Sequence, residues 1–462
     1  MPAGVPPNPV APDAPALGSQ VVRSGFWLLA GSACNRGLAF VRTAILGRVL
    51  SPVDFGVAAI GQLSVQWIEY FSQSGFNTSL ILTPSDLDLY LNTAWTVHLL
   101  RGIGLSALLF ACAPLAASLF NNPGATPVVR AVAIIILIRG FDSPAVACLR
   151  REMNFRRETI WHMSGVVAGL VTAIPLALIY RNFWALVISM VAAQAAETAT
   201  SYWATPFHPR LEFDRARARE MTRTGKWIFW NNIFLFPGRF LDSLLIGRFL
   251  GTAALGYYQM AGYLALIIPD QLATHTGSLL LPAFAKLQET SDLRRGYLRS
   301  FGALCAALVP IGVVLTAFAG LIVRIALGPK WALASALIGP LVWSGIFGAV
   351  CTMTTQMLLR VGRAHFTAWS SLLKALVLAL IGYPAMRLSG SVGVAFAVTF
   401  ASLAAMFWQL MVVGRALDIG PWDLLRSIGT SVRELIQSAS KLRLPPEWRS
   451  VSAESAKNGA EG

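Results

Sequence analysis

Several basic side chains lie inside long apolar stretches of the sequence, where a cation needs a partner or a ligand. Arg36, Arg101, Arg239 and Lys374 each occupy such a position. A guanidinium keeps its charge at any physiological pH and donates two parallel hydrogen bonds to an oxyanion. This set of residues therefore predicts a cationic cavity that binds a phosphate or diphosphate group, and it disfavours a cationic ligand.

Polar side chains also recur at regular spacing in the apolar stretch that follows residue 55. Gln62, Gln66, Glu69, Gln73 and Asn77 are separated by four, three, four and four positions, which on a helix confines them to an arc of about 80°. Lipid cannot satisfy such groups, so this polar stripe must meet a water-filled cavity or a partner helix. Five long polar residues favour the cavity, and a hydrogen-bonded seam between helices is the alternative.

A stretch in the second half of the chain repeats the pattern with Gln259, Tyr263, Asp270 and Thr274. Glu69 and Asp270 fall at nearly corresponding positions in the two halves. A carboxyl group at membrane depth costs about 2.5 to 3.5 kcal/mol unless it is paired, hydrated or protonated. Both residues are therefore candidates for proton or cation coupling, and a structural ion pair is the alternative for each.

Asp242 is the third candidate for ion coupling. It follows Arg239 by three positions, so the two side chains share a helical turn and could instead form a local ion pair. Arg139 and Asp142 have the same spacing, and there the local pair is favoured. The five cysteines stand singly, without a C-x-x-C spacing or neighbouring histidines, so neither a metal site, a cofactor nor a disulfide framework is predicted.

The composition places these groups in a membrane protein. The chain has 462 residues, of which 55% are hydrophobic and 13% charged, whereas soluble domains carry about 25% charged residues. An ordinary soluble enzyme is thereby excluded. The net charge of +15 is concentrated in short loops between apolar stretches, so it reports membrane topology and no nucleic-acid partner is expected.

Apolar windows of about 20 residues, the length that crosses a bilayer, predict about twelve transmembrane helices in an all-α polytopic fold. They lie near residues 24–48, 55–80, 92–119, 128–149, 160–180, 183–204, 226–250, 255–284, 300–327, 332–359, 366–386 and 391–414. The loops after the fourth, sixth, eighth and tenth windows hold most of the basic residues, which predicts that both termini face the cytoplasm.

The two halves of the chain resemble each other when one is shifted by 200 positions. Gly47, Arg48 and Gly56, for example, match Gly247, Arg248 and Gly256. Six spans per half give both copies the same orientation, so we expect two pseudo-symmetric six-helix lobes around a central cavity. The predicted divisions are a disordered cytoplasmic tail 1–20, an N-terminal lobe 21–206, a basic cytoplasmic linker 207–225, a C-terminal lobe 226–417 and a cytoplasmic tail 418–462.

The C-terminal tail contains a second kind of helix. Residues 420–443 place apolar side chains at helical spacing with arginine and lysine interspersed. This pattern is typical of an amphipathic helix that lies on the anionic cytoplasmic leaflet of a membrane.

Two segments resemble those of a known family. Residues 45–56, ILGRVLSPVDFG, resemble the loop after the first span of polysaccharide-unit flippases, and residues 149–156, LRREMNFR, resemble their basic loop after the fourth span. These flippases belong to the multidrug/oligosaccharidyl-lipid/polysaccharide exporter superfamily, and the similarity extends over about residues 22–417. Both segments are structural, so they identify the branch of the superfamily better than the cargo.

The resemblance implies a V-shaped pair of lobes that works by alternating access. It also implies a substrate, an undecaprenyl-diphosphate-linked oligosaccharide, flipped to the outer leaflet of the bacterial inner membrane for exopolysaccharide, capsule or lipopolysaccharide O-antigen synthesis. Membrane lipids would surround the protein, and polysaccharide polymerase and glycosyltransferases are expected partners. Such a protein would not be an enzyme.

Three other functions stay open. An ion-coupled drug or metabolite exporter of the same fold would use Glu69 and Asp270, although the cationic cavity argues against cationic drugs. A membrane glycosyltransferase would need a larger loop with carboxylates or histidines outside the membrane than this sequence provides. A scaffold that docks synthesis enzymes on the basic loops is the third.

Overall fold

The protein is helical throughout the part of the chain that its structure, a computed structural model, describes. That part comprises residues 14–72, 87–146, 149, 155–205, 207, 209–214 and 225–441. It contains thirteen α-helices and no β-strand. Long helices are expected of a chain in lipid, because a helix satisfies its backbone groups within the segment itself.

The first six helices match the first six predicted spans. They are α1 (Ala14–Val49), α2 (Pro52–Ser72), α3 (Leu87–Leu119), α4 (Thr126–Gly140), α5 (Phe155–Tyr180) and α6 (Trp184–Ala204). Two helices differ most from their windows: α1 begins ten residues before residue 24, and α4 ends at Gly140 although its window extends to residue 149. Pro144 explains the early end, because a proline disfavours helical backbone in the residue before it.

The remaining seven helices follow the predicted windows of the second half and the C-terminal tail. They are α7 (Gly225–Phe249), α8 (Thr252–Ala285), α9 (Thr290–Ala317), α10 (Ala319–Ala326), α11 (Ala332–Arg360), α12 (His365–Leu417) and α13 (Pro421–Lys441). The predicted window 300–327 is divided between α9 and the short α10. The last two windows share α12, whose backbone turns at Ser389 and Gly390, the latter with φ of 59°.

Helix α1 begins at Ala14, inside the segment 1–20 that was predicted to be disordered. The proline content of this segment suggested a tail. Pro15 nevertheless fits the first helical turn, where its missing N–H has no intrahelical partner to lose. The predicted tail is therefore too long by seven residues, and residues 1–13 lie outside the described part of the chain.

The apolar helices make this a multi-pass membrane protein. Six helical segments in the described residues are long and apolar enough to cross a bilayer: Leu91–Leu119, Pro123–Gly140, Phe155–Tyr180, Thr290–Ala317, Pro329–Arg360 and His365–Leu417. Many of their large apolar side chains are exposed, among them Ile179 at 73% and Leu380 at 73%. Exposure on this scale suits a surface that contacts lipid rather than water.

The chain forms two compact units. The first comprises Met1–Ala261, Gly320–Leu337 and Gly382–Val394, and the second comprises Gly262–Ala319, Ile338–Ile381 and Ala395–Gly462. Helices α3 and α4 approach closely in the first unit, because Gly102 and Gly140 meet where any larger residue would separate the backbones.

The first unit also joins the two related halves of the sequence by a reciprocal contact. A side chain on Gly56 would overlap the carbonyl oxygen of Thr252, and a side chain on Gly256 would overlap the carbonyl oxygen of Pro52. Pro52 and Thr252 are the first residues of α2 and α8. The starts of these two helices therefore pack backbone against backbone, and only glycine permits that approach.

Side chains near this contact cap helix ends. The indole nitrogen of Trp331 donates to the carbonyl of Gly47 at 2.7 Å, and the Lys330 ammonium donates to the carbonyls of Arg48 at 2.9 Å and Leu50 at 2.5 Å. Arg248 donates to the carbonyl of Leu119 at 3.1 Å. The last carbonyls of a helix lack intrahelical partners, so these bonds satisfy groups that would otherwise be left without one.

In the second unit, α9 is the helix on which α13 packs. Gly302 of α9 meets the backbone of Ser427 of α13 with no room for a side chain between them. Arg294 of α9 pairs with Asp423 at 2.6 Å. The predicted amphipathic helix therefore exists, and one of its sides is attached to a membrane-spanning helix.

Candidate functional site

Three arginines from three different helices converge on the last described turn of α2, residues 69–72. The contacts are Arg139 of α4 with Glu69, Arg239 of α7 with Tyr70, and Arg101 of α3 with Ser72. All six residues belong to the first unit. This group, which we call the arginine cluster, includes two of the predicted cationic residues, Arg101 and Arg239.

Arg139 is the member of the cluster with the most complete set of partners. Its Nη1 lies 2.5 Å from Glu69 Oε1, while Nε and Nη2 donate to Gln194 Oε1 at 3.0 and 2.7 Å. Gln194 is a buried residue of α6. Arg139 therefore links α2 to α6, and the Glu69 carboxylate balances its charge.

Arg101 is held by a neutral partner. Its Nη2 donates to the Ser72 hydroxyl at 2.7 Å, and its Nε is buried without a hydrogen-bond partner. Arg101 lies within electrostatic range of both Glu69 and Arg139, yet it forms no ion pair of its own within the described residues. It is thus a cation with donors left over for a ligand.

Arg239 is exposed and lies over an aromatic ring. Its guanidinium carbon is 6.0 Å from the centroid of Tyr70, within the range of a cation–π interaction. Tyr70 itself packs edge-on against Phe240 at 5.7 Å, and Trp67 packs against Phe236 at 5.8 Å. These aromatic contacts pack α7 against α2, and this packing positions the backbone that carries Arg239.

The arginine cluster carries more positive than negative charge. Three guanidinium groups face one carboxylate, that of Glu69, so the cluster is formally positive by two charges. Arg36, the third predicted cation of this unit, is half-buried on α1 and has no hydrogen bond or ion pair among the described residues. An anion would balance this excess, and a diphosphate has the charge to do so.

The polar stripe of α2 leads toward the cluster. Gln62 and Gln66 are exposed, and Glu69 is half-buried. Gln73 and Asn77 lie outside the described residues. Exposed amides in a membrane helix suit a water-filled space, but the cavity itself stays a prediction. Glu69 is paired with Arg139, which is the structural alternative stated for it above.

The predicted local pair of Arg139 with Asp142 is wrong. Asp142 instead accepts a hydrogen bond from the Thr198 hydroxyl at 2.5 Å, while Arg139 reaches Glu69. The reason is the early end of α4 at Gly140. Side chains three positions apart meet only where the helix continues, and here it does not.

The second predicted pair of this spacing also has other partners. Asp242 accepts a hydrogen bond from the Tyr258 hydroxyl at 2.5 Å, whereas Arg239 lies over Tyr70. Gln259, predicted to line the cavity, donates to the Ser243 hydroxyl at 3.3 Å. Asp242 and Gln259 are therefore engaged in a polar seam between α7 and α8, and their roles in coupling or substrate binding stay predictions.

Two predicted site residues lie in the second unit. Lys374 is half-buried on α12 and lies within electrostatic range of Cys351 of α11. Asp270 of α8 is exposed, and its backbone carbonyl accepts a hydrogen bond from the Thr274 hydroxyl at 2.8 Å. Their proposed roles, cation site and ion coupling, stay predictions.

Sequence reasoning missed Tyr70, Ser72 and Gln194 as parts of the cluster. A signal for Gln194 was present, because Gln194, Thr198 and Ser201 follow each other by four and three positions on α6. This is the same spacing that identified the stripe on α2. Tyr70 and Ser72 are ordinary residues of a membrane helix, and only the packing of α2 reveals their contacts.

Two proteins of known polysaccharide pathways are similar in sequence over most of the chain. The succinoglycan biosynthesis transport protein ExoT of Rhizobium meliloti is 24% identical over 411 residues, 89% of this chain and 81% of that protein. The lipopolysaccharide biosynthesis protein WzxC of Escherichia coli is 22% identical over 323 residues, 68% of this chain and 65% of that protein.

A solved structure and a family model both agree with this sequence similarity. The lipid II flippase MurJ in an inward closed conformation aligns with a TM-score of 0.74 and 12% identity, over 92% of this chain and 94% of that one. At this identity the likeness shows the fold alone. The family model described as polysaccharide biosynthesis protein matches residues 45–336, more than half of the chain, and the chain therefore belongs to that family.

Proposed function

We propose that the protein flips a lipid-linked oligosaccharide unit from the cytoplasmic to the outer leaflet of the inner membrane, for polysaccharide biosynthesis. The carrying observation is the arginine cluster, in which Arg101 and Arg239 keep donors that no carboxylate of the described residues occupies. The undecaprenyl diphosphate of such a substrate is an anion of matching charge. The similarity to a succinoglycan transport protein supports this class of cargo.

In this mechanism the protein provides solvation and makes no bond. An oligosaccharide diphosphate cannot cross hydrocarbon unaided at a useful rate, because desolvating an isolated ion costs a great deal. Arg101 and Arg239 would replace water around the diphosphate oxygens, and Gln62 and Gln66 would offer hydrogen bonds to sugar hydroxyls. Arg139, already balanced by Glu69, would position α2 rather than bind substrate. The polyprenyl chain would stay in lipid throughout.

The setting follows from the same proposal. Both termini would face the cytoplasm, where basic loops concentrate, and the protein would be a transporter rather than an enzyme. Glycosyltransferases would deliver the lipid-linked unit on the cytoplasmic side, and a polymerase would consume it on the other. Direct contact with either is a further part of the proposal.

Deletion of the gene in its host, followed by extraction of the lipids, tests the function. We expect loss of the surface or secreted polymer, together with a polyprenyl-diphosphate oligosaccharide accumulated on the cytoplasmic side. Its sugars would identify the cargo. The contrary result is unchanged polymer and no accumulated lipid-linked unit, in a strain that lacks any second homologue. That result would reject the flippase and favour export of a soluble metabolite.

A further inference from the structure

Helix α13 has one side that is already occupied. Ser427 and Ser431 are buried, and the backbone of Ser427 lies against Gly302 of α9. Small side chains on both helices allow this close approach. The helix is therefore attached to the protein by a polar, small-residue face, which leaves its apolar residues for something else.

Both acidic residues of α13 point to the attached side. Asp423 pairs with Arg294 at 2.6 Å, and Glu434 lies 3.9 Å from Arg299. The backbone amide of Gly420 and the Arg294 guanidinium hold the pKa of Asp423 below its usual value, which keeps the carboxylate charged. Both carboxylates therefore lie on the side of α13 that meets α9, although Glu434 stays 61% exposed.

The opposite side combines exposed apolar residues with arginines. Trp422, Leu425 and Val432 are 75%, 59% and 37% exposed. At 100° per residue these three fall within an arc of about 80°. Arg426 and Arg433, both exposed, lie next to this arc. We call these five residues the outer face of α13.

The position of α13 in the chain places the outer face at a membrane surface. Three residues separate the end of α12 at Leu417 from the start of α13 at Pro421, and α12 is long and apolar enough to span a bilayer. Arg294, which pairs with Asp423 of α13, lies in the first turns of α9, another spanning helix. A helix held between the ends of two spans lies at the level of the lipid headgroups.

We propose that the outer face of α13 binds the anionic headgroup surface of the membrane. Trp422, Leu425 and Val432 would enter the boundary between headgroups and acyl chains, and Arg426 and Arg433 would contact lipid phosphates, as in interfacial amphipathic helices. This surface is independent of the arginine cluster. Because Arg294 and Gly302 attach α13 to α9, membrane binding of the outer face would fix the end of α9 relative to the plane of the membrane.

Fluorescent labels on the full-length protein in lipid nanodiscs test the proposal. In a chain whose five cysteines are replaced, Leu425→Cys and Thr430→Cys each receive an environment-sensitive fluorophore, in discs with or without phosphatidylglycerol. Thr430 is exposed but lies off the outer face, so it is the matched control. We expect nitroxide-labelled lipid to quench the label at position 425 at least threefold more strongly than the label at 430.

Equal quenching at both positions would overturn the proposal. So would a label at position 425 that is shielded from water but not quenched by lipid, because that result points to a protein partner. If the cysteine-free chain is not recovered, hydrogen exchange of residues 421–434 in the unmodified protein replaces the labels. Slower exchange in phosphatidylglycerol discs than in phosphatidylcholine discs supports membrane binding, and equal exchange refutes it.

The contribution of charge is tested separately. The double variant Arg426→Gln, Arg433→Gln should abolish the difference between anionic and neutral discs, because it removes both outer-face cations. Arg295→Gln serves as the control, since Arg295 is an exposed arginine on α9 that pairs locally with Asp292. Loss of the lipid dependence in the control as well would contradict a specific role for the outer face.

Discussion

The arginine cluster contains cations with different partners. Arg139 is held by a carboxylate and a buried amide, so its charge is balanced and its hydrogen-bond donors are occupied within the protein. Arg101 has one hydroxyl partner, and Arg239 has an aromatic ring. Residue type alone does not separate these cases. The partner does. In the proposed function Arg139 positions helices, and Arg101 and Arg239 bind the ligand.

Arg239→Ala should reduce transport about 10- to 100-fold, because each hydrogen bond to a charged group contributes about 1.5–3 kcal/mol. Arg239→Lys should restore activity only in part, since an ammonium lacks the planar fork. The measurement is polymer export at equal protein level. Arg130→Ala is the matched control, because Arg130 is also exposed and lies 5.2 Å from the ring of Phe110. Equal export by both alanine variants would remove Arg239 from the site.

The Glu69–Arg139 pair should contribute to stability as a unit. Glu69→Ala and Arg139→Ala should each lower the melting temperature in detergent, because each leaves a charge without its partner where α2 meets α4, and in Arg139→Ala the orphaned Glu69 carboxylate is only 22% exposed. The double variant should lower it by less than the sum of the two. Additive losses would show that the two side chains do not depend on each other.

The sequence identified Arg101 and Arg239 by their depth in apolar stretches, and both lie in the arginine cluster, while their role in binding stays a prediction. It could not identify their partners. Arg139 and Glu69 are separated by 70 positions, whereas Asp142 is three positions away and offers an equally good charge. Only the early end of α4 at Gly140 decides between them, and that end depends on Pro144, which lies inside the predicted window without lowering its hydropathy enough to divide it.

At the level of helices, prediction from hydropathy worked because the bilayer imposes the length of a span. The break between α9 and α10 escaped it, because apolar sequence continues across Phe318. The turn at Gly390 within α12 did not, because it lies between the two predicted windows 366–386 and 391–414. The start of α1 at Ala14 was missed for the opposite reason, since a proline-rich composition obscured a helix that proline can begin.

Gly302→Leu should detach α13 from α9, because the added side chain would occupy the space of the Ser427 backbone. The result should be faster hydrogen exchange in residues 421–434. Gly429→Ala is the control, since a side chain there meets nothing within 4 Å and alanine favours the helix by roughly 0.5–1 kcal/mol. Unchanged exchange in the Gly302 variant would mean that the two ion pairs suffice to hold α13.

At the scale of the whole molecule, the repeat of 200 positions predicted that the two halves correspond. It did not predict that the starts of α2 and α8 contact each other. A sequence repeat shows that the two halves have corresponding helices. Whether those helices touch each other depends on how their surfaces fit, which the repeat does not show. Gly56 and Gly256 were visible in the repeat, but a repeated spacing of glycines has many causes, and the close backbone approach is one of them.

Gly56→Ala and Gly256→Ala should each lower the melting temperature by several degrees, because overpacking a tight contact costs about 1–3 kcal/mol. Gly104→Ala is the control in the same unit, since nothing lies within 4 Å of a side chain there. Melting temperatures unchanged in all three variants would show that the starts of α2 and α8 separate without cost. A loss in only one of the two would show that the halves are not equivalent.

The reciprocal contact has the form of an isologous dimer interface, in which residue i meets residue j and residue j meets residue i. Here position 56 meets position 252, and position 256 meets position 52. A six-span ancestor with a single copy of this segment would have carried a self-complementary surface. Fusion of two such genes would then turn a concentration-dependent association into an intramolecular one, with a large gain in effective concentration and no new contact.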